Sequence, residues 1–174
     1  MKFIIVILFL LFLPLLGFSQ VSKSAPERDA FSGTWVLNSK KSSENSVGEN
    51  VKWRIGVTGD EFRIHKTYTV GSKPYEYEMT LFSDSRGEKN VVLLPNLPSE
   101  TIFSKTKWDK NNLVRRYKTA SNPAPLFVIE LTEKYSLSKG GGQLTVESRV
   151  ISTNFPDLTN QINRPHKSVF EREK

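Results

Sequence analysis

Three charged residues stand where an alternating pattern asks for apolar ones. Lys66 is in phase with Phe62, Ile64 and Tyr68. Arg115 lies between Leu113 and Tyr117, and Glu133 lies between Leu131 and Tyr135. In an extended chain, residues two apart share a face, so all three charges fall on the apolar side of their runs. An unpaired buried charge is very costly; such a residue must pair, reach a barrel mouth or bind something. Arg115 and Glu133 could form an internal pair, leaving Lys66 for the anionic head of a fatty-acid-like or other amphiphilic ligand. A bulge that shifts the register would instead turn the three outward. Tyr68, Tyr77 and Tyr117 share the same face, as do Tyr75 and Trp108. They could line a pocket with polar tips at its mouth, or simply fill the core of a small barrel. The expected ligand-binding set is Lys66, Tyr68, Tyr77, Arg115, Tyr117 and Glu133.

Other chemistry finds little support. The chain has two histidines, His65 and His166, and no cysteine. His65 falls on the outward face with Glu61, Arg63 and Thr67, and His166 follows a long connection. Metal sites usually need several ligands in register, so no metal is expected. There is no phosphate-binding glycine loop, nucleophile elbow or paired-carboxylate signature. No catalytic residue and no cofactor is expected, and the chain reads as a non-enzyme.

These residues must be held by strands. Glu61 to Val70 alternates except at Lys66. Tyr75, Tyr77, Met79 and Leu81 alternate with Glu76, Glu78 and Thr80, and Leu144, Val146 and Val150 with Thr145, Glu147 and Arg149. β-branched and aromatic residues fill these runs. Hairpin turns recur at Thr58-Gly59-Asp60, Asp109-Lys110-Asn111 and Ser138 to Gly142, where Gly and Asn supply positive φ. The pattern predicts strands at 33–38, 51–58, 61–70, 74–82, 88–94, 100–108, 112–119, 126–137, 143–153 and 166–172. Ser39 to Asn50 reads as a loop. Eight to ten antiparallel strands with one apolar face must stack or close; sequential hairpins favour an all-β, up-and-down meander closed into a barrel. Glu76, Glu78, Arg116, Lys118, Glu147 and Arg149 on the opposite face argue against an outer-membrane barrel, whose outer face is apolar.

The first residues have another purpose. Lys2 precedes an apolar run from Phe3 to Leu16, and Gly17-Phe18-Ser19 places small residues at a cleavage site. The run is shorter than the ~20 residues of a membrane-spanning helix; an uncleaved anchor is the alternative. The expected division is a signal peptide at 1–19, a flexible lead-in at 20–30 and one domain at 31–174. The product would be exported, periplasmic or secreted, not embedded in a membrane after cleavage, and monomeric. The 174 residues carry a net charge of +7, or +6 without Lys2. Because acidic residues are interleaved throughout, the surplus reads as solubility charge and no nucleic-acid partner is expected. Without disulfides, the domain must rely on its core, which ~150 residues can supply.

Phe31-Ser32-Gly33-Thr34-Trp35-Val36-Leu37-Asn38-Ser39-Lys40-Lys41-Ser42 resembles the opening of exported bacterial lipocalin-like, calycin-type barrel proteins, mostly of unassigned function. Lys107-Trp108-Asp109 and the Gly-rich turn before Leu144 fit the same group more loosely. The resemblance implies a barrel closed at one end by Trp35, after Gly33, and covered there by an arginine near the last strand. Arg172 is the candidate and Arg164 the second choice; that role is structural. The implied function is binding of a small apolar or amphiphilic ligand. The alternative is a solid barrel acting through its surface loops: Asn90 to Glu100, with Val92, Leu93, Leu94 and Leu97, and Asn154 to Pro165, with Phe155 and Leu158.

Overall fold

The computed structural model describes residues 28–43, 48–93, 95, 98–120, 128–153 and 165–174. The proposed signal at 1–19, Gln20 to Glu27, Arg164, Leu94, Leu97, Phe127, Phe155 and Leu158 lie outside the described residues. Ten strands follow in order: β1 (Gly33–Leu37), β2 (Glu49–Thr58), β3 (Glu61–Val70), β4 (Lys73–Phe82), β5 (Glu88–Val92), β6 (Glu100–Asp109), β7 (Asn112–Ala120), β8 (Val128–Leu137), β9 (Gln143–Thr153) and β10 (His166–Arg172). They match the alternating runs to within a few residues at each end. The stretch read as a loop after Asn38 differs: it holds a 3-10 turn, Ser39–Lys41, and the first residues of β2. That turn is capped by Asn38, whose side chain accepts from the Lys41 amide.

All pairings are antiparallel, in the order β4-β3-β2-β1-β10-β9-β8-β7-β6-β5. Neighbours in sequence therefore pair, with two exceptions. The ends of the chain meet where β1 pairs with β10, with Trp35 opposite Arg172 and Leu37 opposite Phe170. The consecutive strands β4 and β5 touch but share no backbone ladder. The result is a nearly closed lipocalin-like barrel.

One end of the barrel is solid. Trp35, Phe62, Ile64, Leu81, Leu113, Leu144 and Phe170 are fully buried there. Burying a side chain of this size contributes about 1.5–3 kcal/mol. A 3-10 turn at Arg28–Phe31 lies across this end. The sequence placed Arg28 to Ala30 in a flexible lead-in, but they lead Phe31 onto the core. Phe31, Phe62 and Trp108 meet edge to face, with centroids 5.8–5.9 Å apart. Trp35 donates from Nε1 to the Phe31 carbonyl at 2.9 Å. The Arg172 guanidinium lies 4.3 Å from the Trp35 ring and donates to the carbonyls of Ala30, Ser32 and Gly141. Gly33 has φ +139°, and a Cβ there would come within 2.6 Å of Arg172 Nη1. Only glycine fits that position.

The gap between β4 and β5 is closed by side chains. The Asn90 amide accepts from the Thr80 amide at 2.7 Å and donates to the Thr80 carbonyl at 2.9 Å. One side chain thus supplies both halves of a missing backbone pair. At the solid end, Asp84 bridges to Lys107 and the Ser85 amide donates to the Thr106 carbonyl at 3.0 Å. At the other end, the Tyr68 hydroxyl donates to the Leu93 carbonyl at 3.1 Å.

Candidate functional site

Burial of the inward residues changes along the barrel. Beyond the solid end, inward side chains are only half-buried: Val51, Tyr68, Tyr75, Tyr77, Tyr117, Ile129, Leu131 and Val150. Inward residues that stay partly accessible mark this as the open end of the barrel. Tyr68 stacks on Tyr75 with centroids 5.4 Å apart and meets Tyr77 edge-on. This half of the barrel is an aromatic-walled mouth.

The three charges sit at its floor, and the structure brings them together. Lys66 pairs across the ladders with Trp53 and Tyr77, and Arg115 stands directly opposite Glu133. Register shifts occur between Glu49 and Lys52 and between Glu130 and Leu131, so neither turns these residues outward. Lys66 and Arg115 are 8% and 2% exposed. Arg115 Nη1 reaches Glu133 Oε2 at 3.3 Å. The hydroxyls of Tyr117 and Tyr135 donate to the same carboxylate at 3.1 and 2.7 Å. Burial works against ionised Glu133, but Arg115, Lys66 and the two hydroxyls outweigh it and hold its pKa below the ordinary range. Burial also disfavours the Arg115 guanidinium, and the charge of Glu133 more than restores it. The phenols of Tyr77, Tyr117 and Tyr135 are pushed up, first by burial and then by Glu133.

Both cations keep unused donors. Lys66 Nζ lies 3.9 Å from the centre of the Trp53 ring and has no hydrogen-bond acceptor or carboxylate within reach among the described residues. Burial lowers its pKa to about 8, an effect that Glu133 opposes and Arg115 reinforces. Arg115 Nη2 is buried without a partner among the described residues. Its Nε donates to Ser104 Oγ at 2.9 Å, and its Nη1 also lies 3.5 Å from Met79 Sδ. Ser104 and Thr106 in turn donate to Glu88 Oε1 at 2.9 and 2.6 Å. Glu88 is thus held on the β6 side, away from direct contact with either cation. Its second oxygen has no partner. The sequence reading missed Trp53, Ser104, Thr106 and Glu88. The signal was present, since Ser104 and Thr106 are in phase with Ile102 and Trp108.

The remaining candidates lie elsewhere. His65 is on the outer face, 3.6 Å from Glu76. Among the described residues no cluster of His, Asp and Glu could hold a metal ion. A recess of about 380 Å3 at the rim is lined by Asn50, Thr67, Tyr68, Thr69, Pro74, Tyr75 and Glu76. It lies above the charged floor and includes none of its residues.

Fold and interior define a lipocalin-like barrel with a solid end and a polar floor beneath an aromatic mouth. No protein-family model matches the sequence, and no curated protein matches it. Many solved structures are similar, among them the following two. One is named "REP1-NXSQ fatty acid transporter", with a TM-score of 0.49, 13% identity, and coverage of 82% of this chain and 96% of that one. The other is a secretary abundant heat soluble (SAHS) protein from Ramazzottius varieornatus, with a TM-score of 0.50, 15% identity, and coverage of 86% of this chain and 100% of that one. At that identity the second likeness is one of fold.

Proposed function

We propose that the barrel binds a small amphiphile whose anionic head sits between Lys66 and Arg115 and whose apolar tail lies among Tyr77, Tyr117, Ile129 and Leu131. One observation carries this reading: among the described residues, two buried inward cations, Lys66 over the Trp53 ring and Arg115 with its Nη2 unpartnered, retain hydrogen-bond donors. Buried donors left empty cost free energy, and an oxyanion would fill them. Glu133 is already occupied by three donors. It fixes Arg115 and screens the pair without competing for the head. The role is binding rather than catalysis, since the cluster presents donors and an engaged carboxylate. The aromatic mouth favours the pocket reading over the solid-barrel alternative, which describes only the closed end.

Trp53 provides the test, because an anion that draws Lys66 off its ring should change its fluorescence. Dodecanoate should bind more tightly than dodecanol. Lys66→Met should weaken dodecanoate by ~10-fold or more, the scale of one charge-assisted hydrogen bond, and leave dodecanol unchanged. Affinity for the acid should fall as pH rises past about 8, where free Lys66 loses its proton. Equal binding of acid and alcohol by the wild-type barrel would refute this reading.

A further inference from the structure

Pairing gathers cations onto one stretch of the outer face. On β4 the outward face carries Glu76 and Glu78, and on β3 Glu61 is paired with Arg63. Across the β4–β5 seam the sign reverses. The outward residues of β5, β6 and β7 include Lys89, Lys105, Lys107, Arg116 and Lys118. Lys105 stands directly opposite Arg116. Like charges at facing positions destabilise a sheet. Among the described residues none of Lys89, Lys105, Lys107 and Arg116 has a carboxylate within 4 Å, and Lys118 reaches Glu130 only at 4.0 Å. At the border, Asp84 is taken by Arg86, and Asp109 lies at the β6–β7 turn.

Amid these cations the same face exposes apolar side chains. Phe103 is 66% exposed, Val91 49% and Leu93 39%. Phe103 lies opposite Lys89, whose Nζ is 5.9 Å from its ring. Leu93 extends the apolar strip to the rim, where its carbonyl accepts from Tyr68. Two features therefore coincide: self-repelling cations and a prominent exposed phenylalanine.

We propose that the outer face of β5–β7 docks peripherally on an anionic lipid bilayer. Cations near such a surface are drawn to its negative potential. Phe103, Val91 and Leu93 would enter the boundary between head groups and acyl chains, as the apolar side chains of interfacial proteins do. A duplex nucleic acid would satisfy the cations but offers its phosphates no use for the apolar strip. Glu76 and Glu78 on the outer face of β4, across the seam, would be turned away from the bilayer. The mouth beside Leu93 would then lie close to the bilayer. Docking rests on the outer face alone and does not depend on what the interior binds.

The test is co-flotation of the purified protein with phosphatidylcholine vesicles, with and without phosphatidylglycerol. The readout is the ratio of binding to anionic over neutral vesicles, since the apolar stretch Phe3 to Leu16, where retained, would raise both alike. The wild-type ratio should exceed ~10 at low salt and collapse in high salt. Lys105→Glu with Arg116→Glu should bring it near unity. Phe103→Thr, which keeps a strand-forming residue, should lower binding several-fold. Glu78→Gln on the outer face of β4 should leave the ratio unchanged. Each variant should bind dodecanoate as the wild type does, which separates this proposal from the interior site. A wild-type ratio near unity, a ratio that survives the double reversal, or tighter binding to a single-stranded oligonucleotide than to anionic vesicles would each overturn it.

Discussion

Lys66 shows how a residue can cost stability and serve function. An ordinary lysine loses its proton near pH 10.5, whereas this one does so at about 8 because burial disfavours its charge. The folded state therefore binds fewer protons than the unfolded state between those values. By linkage the protein gains stability as pH rises through that window, and below it carries the full cost of charged Lys66. The shift corresponds to roughly 3 kcal/mol. We predict that Lys66→Met stabilises the empty barrel by about 1–3 kcal/mol at pH 7, in urea unfolding, with the gain shrinking toward pH 10. A destabilised variant at pH 7 would show that the Trp53 contact outweighs desolvation. Period 2 put Lys66, Arg115 and Glu133 in phase with the inward face but left open a bulge that would turn them outward; the register decides it, with the shifts falling elsewhere. Their proximity was not legible, because it depends on which strands pair and in what register.

At the scale of elements, the strands were readable because each alternates and each turn carries Gly, Asn or Asp. The seam was not readable. Alternation says nothing about whether β4 and β5 share a ladder, and Asn90 looks like any polar strand residue. Its one clue is that Glu88 and Asn90 occupy the buried phase of β5, where apolar residues belong. Asn90→Ala would leave the Thr80 amide and carbonyl without partners. We predict a loss of about 1–3 kcal/mol, with hydrogen exchange at Thr80 accelerated while the amides of β8 and β9 keep their protection. Uniform acceleration across all ten strands would mean that the seam is no weaker than its neighbours.

For the whole molecule, sequence order concealed the charge distribution. Basic and acidic residues are interleaved along the chain, which reads as a neutral mixture. Folding gathers alternate residues of adjacent strands onto one surface, and so assembles a basic face from β5, β6 and β7. Compartment belongs to this scale too. We propose that Met1 to Ser19 directs export, supported by Lys2, the apolar run to Leu16 and the small residues Gly17 and Ser19. The mass of the protein recovered from a secreting host should then correspond to a chain starting at Gln20. Recovery of the intact chain from the cytosol would remove the proposal.

The Asn90 stitch has a mechanical consequence. Among the described residues nine backbone ladders run around the wall, and the tenth junction is made by side chains and, at the solid end, one isolated backbone bridge. The wall is therefore a rolled ribbon with two lips, one on β4 and one on β5, and the chain passes from lip to lip through the tight connection Ser83 to Gly87. The oldest-to-newest contact of the chain, β1 against β10, lies well inside the ribbon as a continuous hinge. Parting the lips would break no ladder. Opening the wall there would break only the side-chain bonds of Asn90 and Tyr68, whereas the solid end is further held by the Asp84–Lys107 bridge, Arg172 and Trp35.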